Sequence, residues 1–498
     1  MAISSACSTA DTDSHKWRGY VERCLGTLVE HGTDRYGRVQ SPLIMAVIDV
    51  RTLESPEKPE LLDSLVRLEN RLHRRGERGS NFWYDQKTLK CMYRLSRLIG
   101  DAKYATAADS CAAYALKNCR KSNGLLVWGS HIYWDCYKDE ASGDEGGKGP
   151  HEILVFQPEW EEMYRVNPVA VREEIEGIWK WHVIDKKTGY HNRHDDGRRG
   201  FDFAFSGGSL ILAFAFMHKA TQEPRWLERA RLVSDWHWNA RNKKTGLTPD
   251  TPGSRNRYDG RHSFTNQAGL FASQLLGAYE LTADTYFRDV AIAYIKTFDK
   301  YGWDPKSSTF HAMLKLDGTP IPARAKASGY DRWSPTGHVN VWRTSIFSYE
   351  FTLAAAQAAI YAWEQSAREP GERDPELLRV ALRWAGVVEG ALPPHTGRRW
   401  KEELEAAMPA VIKTGGAYAE DYGRAISFFV HVYRATKDPK HLRLAEGLAG
   451  EAVEKLFENG LFKGHPAKPY YETTNGVGLL LWALLELDAP LEELPGAF

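Results

Sequence analysis

A short motif recurs along this chain between pairs of expected helices, and it constrains the fold more than any other feature. It reads acidic-x-x-aromatic-x-x-x-Ala in "GDAKYATAA", "QEPRWLERA", "ADTYFRDVA" and "KDPKHLRLA", and looser copies are "NPVAVREEI" and "DPELLRVA". Counted from the capping residue, the six copies lie 66, 56, 61, 90 and 64 residues apart. A supersecondary unit repeated at a period of this size is the signature of stacked helical hairpins. The sequence therefore predicts six such hairpins.

Each position of the motif has a physical role at the start of a helix. The acid or asparagine can cap the second helix and interacts favourably with its N-terminal dipole. Proline follows in several copies, and at the first helical position its missing N–H costs nothing. The aromatic residue and the alanine four positions later lie on one face of the helix. We expect that face to pack against the first helix of the hairpin.

The two ends of the chain supply one further pair of helices. Residues 14–31 form an amphipathic pattern, and residues 475–487 form a strongly apolar one. Neither pattern has a partner among the six hairpins, so joined to each other they would make a seventh hairpin and close a ring. The predicted fold is an all-α (α/α)7 toroid, a single domain over residues 1–498, with residues 40–80 as an added segment.

The loops of this toroid are predicted to be asymmetric. Inside a hairpin the link is a few residues, whereas the segments between hairpins are far longer than usual connections. These long segments are residues 120–151, 185–204, 242–264, 302–346, 392–418 and 458–473. All of them must emerge at the same end of the toroid. Long, charged loops gathered on one rim of a rigid scaffold are where a functional site is expected.

Composition excludes some partners and favours others. Lysine plus arginine equals aspartate plus glutamate, 65 each, so no net charge favours nucleic acid or an anionic membrane surface. The apolar runs are too short to span a bilayer. No basic segment followed by an apolar one opens the chain, and the six cysteines show no CxxC spacing, so a reducing cytoplasm is the expected location. The 17 tryptophans are compatible with stacking on sugars.

Two histidines and a glutamate in neighbouring rim loops form a candidate metal site. His131 precedes Glu152 by 21 residues and His194 by 63. Two imidazoles and one carboxylate with open positions can hold a divalent transition metal. His151 and His191 are rival ligands, and Asp195 and Asp196 are candidate acceptors for the ring N–H of a ligand histidine. A rim histidine can also be only a surface or hydrogen-bonding group.

The spacing of these groups, with Arg193 directly before His194, resembles the metal site of family 2 pectate lyases. The resemblance implies a seven-hairpin toroid, His131, Glu152 and His194 as ligands, and manganese as the commonest metal, with cobalt, nickel, zinc and iron as alternatives. It also implies β-elimination on pectate or oligogalacturonate, with Arg193 as the base that removes the sugar C5 proton. Residues 242–346 show no residue-by-residue match, so the resemblance does not define the substrate.

Arginine is an unusual base, and a second role for Arg193 stays open. Its guanidinium ordinarily remains protonated, so acting as a base requires a strong shift of its pKa. A nearby metal cation and the neighbouring Arg198 and Arg199 would disfavour protonation. The alternative is that Arg193 holds a uronate carboxylate through two hydrogen bonds and another residue is the base.

A basic and aromatic set of rim residues is predicted to contact an acidic oligosaccharide or polysaccharide. Arginine forks suit carboxylates and tryptophan rings stack on sugar faces. The predicted substrate-binding residues are Trp128, Trp134, Arg255, Arg257, Arg261, Lys326, Arg332 and Trp333. Tyr258 and Tyr330 are candidate proton donors to the leaving oxygen. Any one of these could instead be a solvated or packing residue.

Three alternatives remain at this stage. The substrate could be another polyuronate, such as a glycosaminoglycan, alginate or glucuronan. A glycoside hydrolase on the same toroid would need two facing carboxylates, for which Asp135, Asp202, Glu420 and Asp421 are candidates. A non-catalytic helical scaffold would have uniform short loops, whereas here one rim has long loops that carry many charged and aromatic residues. The sequence does not define the oligomeric state.

Overall fold

The computed structural model describes residues 15–60, 69–153, 157–254, 257–322, 334–335, 337–342, 351–367, 372–395 and 415–489. Within these residues the chain forms paired helices arranged in a ring, and the predicted α/α toroid is confirmed. The inner helices are α2 (Phe82–Ile99), α4 (Trp160–Val166), α6 (Ala204–Thr221), α8 (Ala272–Thr282), α10 (Thr352–Glu364), α12 (Ala419–Thr436) and α14 (Val477–Leu487). Their outer partners are α3 (Lys103–Asn118), α5 (Pro168–His182), α7 (Pro224–Asn239), α9 (Thr285–Gly302), α11 (Pro375–Gly390), α13 (Pro439–Leu456) and α1 (Lys16–His31).

The ring closes as the sequence predicts. The last helix, α14, packs against α2 and α12 on the inside and against the N-terminal helix α1 on the outside. Ten of the eleven residues in α14 are buried, because neighbours surround the helix. The backbone N–H of Arg18 donates a hydrogen bond to Asp488 Oδ2 (2.5 Å), which links α1 to the residue that follows α14. The described residues thus form seven helical hairpins.

The repeated motif plays its expected part at most of the connectors. The side chains of Asn167, Asp284, Asp374 and Asp438 each accept a hydrogen bond from a backbone N–H in the first turn. Glu223 is the exception: it caps no N–H and pairs with Arg172 and Arg225 instead. In all four full copies of the motif, the residue with the aromatic or imidazole side chain and the alanine four positions later are both buried. These residues are Tyr104, Ala108, Trp226, Ala230, Phe287, Ala291, His441 and Ala445.

Short antiparallel strands, which periodicity did not predict, occupy the segments between hairpins. One sheet has the order β2 (Gly79–Ser80), β3 (Ile132–Asp135), β4 (Glu140–Gly143). The pairs are β5 (Val183–Asp185) with β6 (Tyr190–His191), β7 (His262–Phe264) with β10 (Met313–Lys315), β8 (Trp303–Asp304) with β9 (Thr309–Phe310), β11 (Phe457–Glu458) with β12 (Leu461–Phe462), and β1 (Val47–Asp49) with β13 (Tyr470–Glu472). Strands of two to four residues give too few alternations to be read from sequence. Their pairing fixes the rim loops in place.

Among the described residues, no helix combines the length and the apolar character needed to cross a membrane. The added segment is integrated with the ring, because β1 pairs with β13 in the register Val47–Glu472. All five described cysteines are buried and free.

A buried ion-pair cluster lies near the ends of the inner helices that are opposite the rim. His431 Nδ1 is 2.7 Å from Glu364 Oε1, and His431 Nε2 is 3.7 Å from Glu486 Oε1. Burial opposes a charge on His431, but the two carboxylates outweigh it and raise its pKa to about 9. The imidazolium therefore joins three inner helices, α10, α12 and α14.

This pair predicts a pH dependence of stability. The folded pKa of His431 exceeds the unfolded value of about 6.5, so its contribution is fully present below pH 6.5 and is lost as the pH rises through 9. Between pH 6.5 and 9.5 we expect the free energy of unfolding of wild-type protein to fall by roughly 2–3 kcal/mol more than that of the His431→Gln variant. Urea unfolding of both proteins across this range measures the difference. Parallel pH profiles would contradict the assignment.

Candidate metal centre and active site

The three predicted metal ligands come together on the rim. His131 immediately precedes β3, while Glu152 and His194 form an isolated antiparallel backbone bridge between two neighbouring loops. One ligand atom from each of the three lies within 4.8 Å of the others. Residues separated by 63 positions in the chain thus share one small volume. Sequence spacing indicated this group, and the ring of hairpins brings its loops side by side.

The Glu152 carboxylate lies between the two imidazoles. Its Oε1 is 3.3 Å from His194 Nε2 and its Oε2 is 3.7 Å from His131 Nε2. The two rings are 4.9 Å apart and nearly perpendicular, at 89°. Donor atoms about 2.0–2.2 Å from one metal ion lie roughly 3–3.5 Å from each other, so little rearrangement is needed. His131 Nε2 is buried and has no hydrogen-bond partner among the described residues, as expected for a ligand nitrogen. The residues present fit a divalent metal.

Backbone contacts hold Glu152 in position. Ile153 N donates to Arg193 O (2.8 Å), and Ser130 N donates to Glu152 Oε2 (3.1 Å). Gly129 has a φ of 108°, and a Cβ added there would lie 2.7 Å from Glu152 O. A side chain at residue 129 would therefore push Glu152 out of place. The loop before His131 therefore packs closely against Glu152.

Two further carboxylates lie beside the rings of the two predicted ligand histidines. Asp144 Oδ2 lies 2.6 Å from His131 Nδ1 and accepts a hydrogen bond from Arg74 Nη1 at 2.7 Å. Asp196 Oδ2 is 3.6 Å from His194 Nδ1, which agrees with its predicted place beside a ligand ring. Asp144 and Arg74 were not predicted. The signal for Asp144 is the β3–β4 register, which pairs Ile132 with Gly143 and so sets residue 144 opposite His131.

The pKa values of Glu152 and His131 are both shifted in the direction that favours metal binding. Burial alone would raise the pKa of Glu152, but the neighbouring His131 and Arg193 outweigh it and hold that pKa well below its usual range. Burial lowers the pKa of His131. A neutral imidazole beside an ionised carboxylate needs to lose no proton before binding a metal at neutral pH.

Arg193 is fixed beside this ligand set. Its Nε lies 3.3 Å from Glu152 Oε1, and its side chain is 12% exposed. The guanidinium carbon lies 4.7 Å from the centre of the Phe203 ring, and the backbone N–H of Arg193 donates to Phe201 O at 3.0 Å. The two phenylalanines were not predicted, and "GFDF" carries no pattern that would reveal them. The guanidinium thus lies between the Phe203 ring and the three predicted ligands.

The rival ligands have other partners. His151 Nδ1 is 2.7 Å from His182 Nε2, and His151 Nε2 is 3.0 Å from Glu174 Oε1. His191 is fully buried with its ring 5.2 Å from that of His237. Asp195 does not contact a ligand ring: it pairs with Lys121 Nζ at 2.7 Å. These groups brace the loops that carry the site.

The predicted substrate contacts are only partly supported. Trp128 as a sugar-stacking residue is wrong, because its side chain is 0% exposed and packs against Phe82, Trp83 and Trp160. Trp134 is half-buried in β3, and its contact with a sugar stays a prediction. Several predicted residues lie outside the described residues, namely Arg255, Lys326, Tyr330, Arg332 and Trp333.

Two other predicted residues, Arg257 and Tyr258, pack near Phe203, the ring that Arg193 contacts. Arg257 shares the Phe203 ring with Arg193 but forms two hydrogen bonds with Asp259. Arg261 is exposed. Tyr258 is 2% exposed in an aromatic cluster with Phe203, so this geometry does not support its predicted role as proton donor to a sugar.

Comparison with known proteins agrees with the site geometry. Residues 69–206, which include all three predicted ligands and Arg193, match a family described as periplasmic pectate lyase. A pectate disaccharide-lyase of Dickeya dadantii (strain 3937) is 31% identical over 124 residues. That alignment spans 25% of this chain and 23% of the relative. The resemblance predicted from His131, Glu152 and Arg193–His194 is confirmed: this part of the chain is pectate-lyase-like.

Solved structures share the fold at low sequence identity. A D-mannose isomerase superposes with a TM-score of 0.51 at 12% identity, covering 97% of this chain and 99% of that protein. A cellobiose 2-epimerase from Bacillus thermoamylovorans B4167 gives a TM-score of 0.48 at 10% identity, covering 95% and 99%. The first of these likenesses shows the fold alone.

The expected cytoplasmic location is wrong. It rested on the N-terminal sequence and on cysteine usage, whereas the matching family is described as periplasmic. Buried free cysteines are packing residues in this fold, so their spacing says little about the redox compartment.

Proposed function

We propose that this chain, pectate-lyase-like over the segment that carries its site, is a polysaccharide lyase that cleaves a uronate polymer or oligomer by β-elimination. Pectate or oligogalacturonate is the proposed substrate. The observation that carries the proposal is the position of Arg193 beside Glu152, with His131 and His194 completing a metal-binding group. A base and an electrophile on one rim are the two components that this reaction requires.

The chemistry of a 4-linked uronate explains this requirement. The leaving oxygen at C4 is β to the carboxylate carbon, so loss of the C5 proton can expel it and form a C4–C5 double bond. Removing that proton places additional charge on the carboxylate, which makes the step slow in water. Fixed positive charge at the carboxylate stabilises the developing enediolate.

His131, Glu152 and His194 are proposed to hold a divalent transition metal, with manganese as the proposed ion and cobalt, nickel, zinc or iron as alternatives. When bound, the metal supplies a Lewis acid for the substrate carboxylate. Asp144 contacts His131 Nδ1, and Asp196 faces His194 Nδ1. Both carboxylates are proposed to keep the imidazoles oriented. A buried carboxylate between two imidazoles offers the donor set that such an ion needs.

Arg193 is proposed as the base that removes the C5 proton. Phe203 and Phe201 hold its guanidinium, and its low exposure limits hydration of the charged form. Low exposure and a metal cation close by would disfavour protonation relative to an arginine in water, and they act against the two rings and Glu152, which favour the charged form. The alternative role, binding the substrate carboxylate through paired hydrogen bonds, needs only the ordinary charged form.

Three of the four acids proposed for a glycoside hydrolase are engaged elsewhere. Asp135 is fully buried and ion-paired with Arg78 at 2.6 Å, and Asp202 is fully buried and accepts from Trp236 Nε1 at 2.8 Å. Glu420 pairs with Arg424 at 2.9 Å. Such contacts do not favour a pair of carboxylates facing each other across a sugar, so the lyase is the better-supported function.

A panel of polyuronates tests the proposal. Polygalacturonate, glucuronan, alginate and glycosaminoglycans are incubated with the protein, with and without chelator and added Mn²⁺. A lyase produces an unsaturated uronate whose ultraviolet absorbance rises with time, whereas a hydrolase releases reducing ends without that absorbance. We expect the rise on polygalacturonate and its loss with chelator. No rise on any polyuronate would contradict the lyase assignment.

A further inference from the structure

A second group of metal-binding side chains lies on the rim, in residues that the proposed lyase site does not use. Asp304 ends β8, His311 directly follows β9, and His338 lies opposite His311 in an isolated antiparallel bridge. One ligand atom from each of these residues lies within 4.8 Å of the others. Among the described residues, only this cluster and the His131 cluster bring three such groups together.

We propose that Asp304, His311 and His338 form a second metal site, which takes a first-row divalent cation with Zn²⁺ as the best fit. Two imidazoles and one carboxylate match the ligand preferences of zinc, and solvent can complete a four-coordinate shell. The site shares no ligand with the proposed catalytic metal. It therefore makes a separate prediction about how many ions the chain binds.

The side chains are close before any metal binds. His338 Nε2 is 3.0 Å from Asp304 Oδ2, and the His311 and His338 rings are 4.9 Å apart with a 30° angle between their planes. Ligand atoms around one zinc ion are about 3.0–3.5 Å apart. The Asp304–His338 distance already has that value, and rotation of the His311 side chain brings in the third ligand. The free energy of ordering three ligands is thereby reduced.

Backbone hydrogen bonds hold the three segments independently of a metal. His311 N donates to Gly302 O (2.8 Å), and Val339 N donates to Phe310 O (2.9 Å). Asp304 Oδ1 accepts from Lys306 N at 3.0 Å, which leaves Oδ2 directed at His338. Among the described residues, the ring of His311 has no hydrogen-bond partner, so a nitrogen is available to a cation.

The position of the cluster suggests what a bound ion would do. Asp304 and His311 belong to the β8–β9 hairpin that follows α9, and His338 belongs to the segment leading to α10. A metal ion would join these two parts of a long rim connection. The His338 side chain is 42% exposed, so the ion can enter from solvent, and exchange is expected to be faster than at the buried His131 cluster. Because the ion would join two parts of one connection, we expect it to stabilise this loop.

Metal counting on the full-length protein tests the proposal. After removal of metals with chelator and dialysis against Zn²⁺, wild-type protein is expected to hold two ions per chain by elemental analysis. His338→Ala and His311→Ala should each lose one ion, and His194→Ala should lose the other. The His194→Ala/His338→Ala double variant should hold none. His31→Ala, an exposed histidine outside both clusters, is the matched control and should retain both ions.

A second readout separates binding from misfolding. Zn²⁺ should raise the melting temperature of His194→Ala, because only the folded chain offers the second site. That rise should disappear in the His194→Ala/His338→Ala variant, while the two variants melt alike in chelator. If His311→Ala and His338→Ala bind as many ions as wild type, the cluster is a surface Asp–His pair only and the proposal is overturned. Neither measurement depends on lyase activity, so failure of the proposed function leaves this test intact.

Discussion

Lysine in place of Arg193 is expected to lower kcat by about 10²–10⁴-fold, the contribution that a positioned general base typically makes. Lysine keeps the positive charge, but it cannot place a planar guanidinium over Phe203 while its neighbouring nitrogen faces Glu152. The metal content should stay at the wild-type level, since Arg193 is not a ligand. Initial rates from the ultraviolet absorbance of the unsaturated product, measured at saturating substrate, give kcat directly.

The matched control is Arg199→Lys in the same loop. Arg199 is exposed, with its guanidinium carbon 5.0 Å from the Tyr190 ring, and we expect kcat to remain close to wild type. If Arg193→Lys instead retains most of kcat and raises KM, Arg193 binds the substrate carboxylate and the base is another residue. The split between kcat and KM therefore decides between the two roles of this arginine.

Glutamine in place of Glu152 is expected to remove the metal of the lyase site and abolish measurable elimination. The change keeps the shape of the side chain and its contact with Ser130 N but deletes the anionic oxygen that lies between His131 and His194. Loss of a ligand should weaken metal binding by more than the roughly 10–100-fold that follows loss of a group orienting a ligand. Elemental analysis of chelator-treated protein after dialysis against Mn²⁺ measures the metal content, and initial rates on the same samples measure elimination.

Asp144→Asn provides the graded comparison. It keeps a hydrogen-bond acceptor near His131 Nδ1 but loses the charge that pairs with Arg74, so a 10–100-fold weaker metal affinity is expected. Excess Mn²⁺ should restore activity to Asp144→Asn and to chelator-treated wild type, but not to Glu152→Gln. Full activity of Glu152→Gln without metal would show that the reaction does not use this site.

The repeated hairpins were predictable because their information is local. A capping acid, a buried ring and an alanine within eight residues specify how one helix starts and which face it packs, as Asp284, Phe287 and Ala291 show. The pairing of α1 with α14 followed because both were left without a partner. The rim was harder to predict: its strands are two to four residues long, and their register depends on which loops the ring makes neighbours.

The candidate site divides in the same way. His131, Glu152, Arg193 and His194 were found from residue type and spacing, whereas Asp144 became visible only through the β3–β4 register. Trp128 shows the opposite error. Its place in a rim loop suggested contact with a sugar, but three aromatic neighbours bury it, and burial is set by contacts across the chain.

The sequence by itself determined the paired helices, their closure into a ring, and the residue types that can bind a metal and a uronate, because each is encoded by periodicity or by short motifs. Tertiary structure alone decided which polar groups meet. Asp304, His311 and His338 lie in different parts of one long connection, and only the folded rim brings their ligand atoms within 4.8 Å. Distances between loops depend on packing of the whole ring, and no local pattern records them.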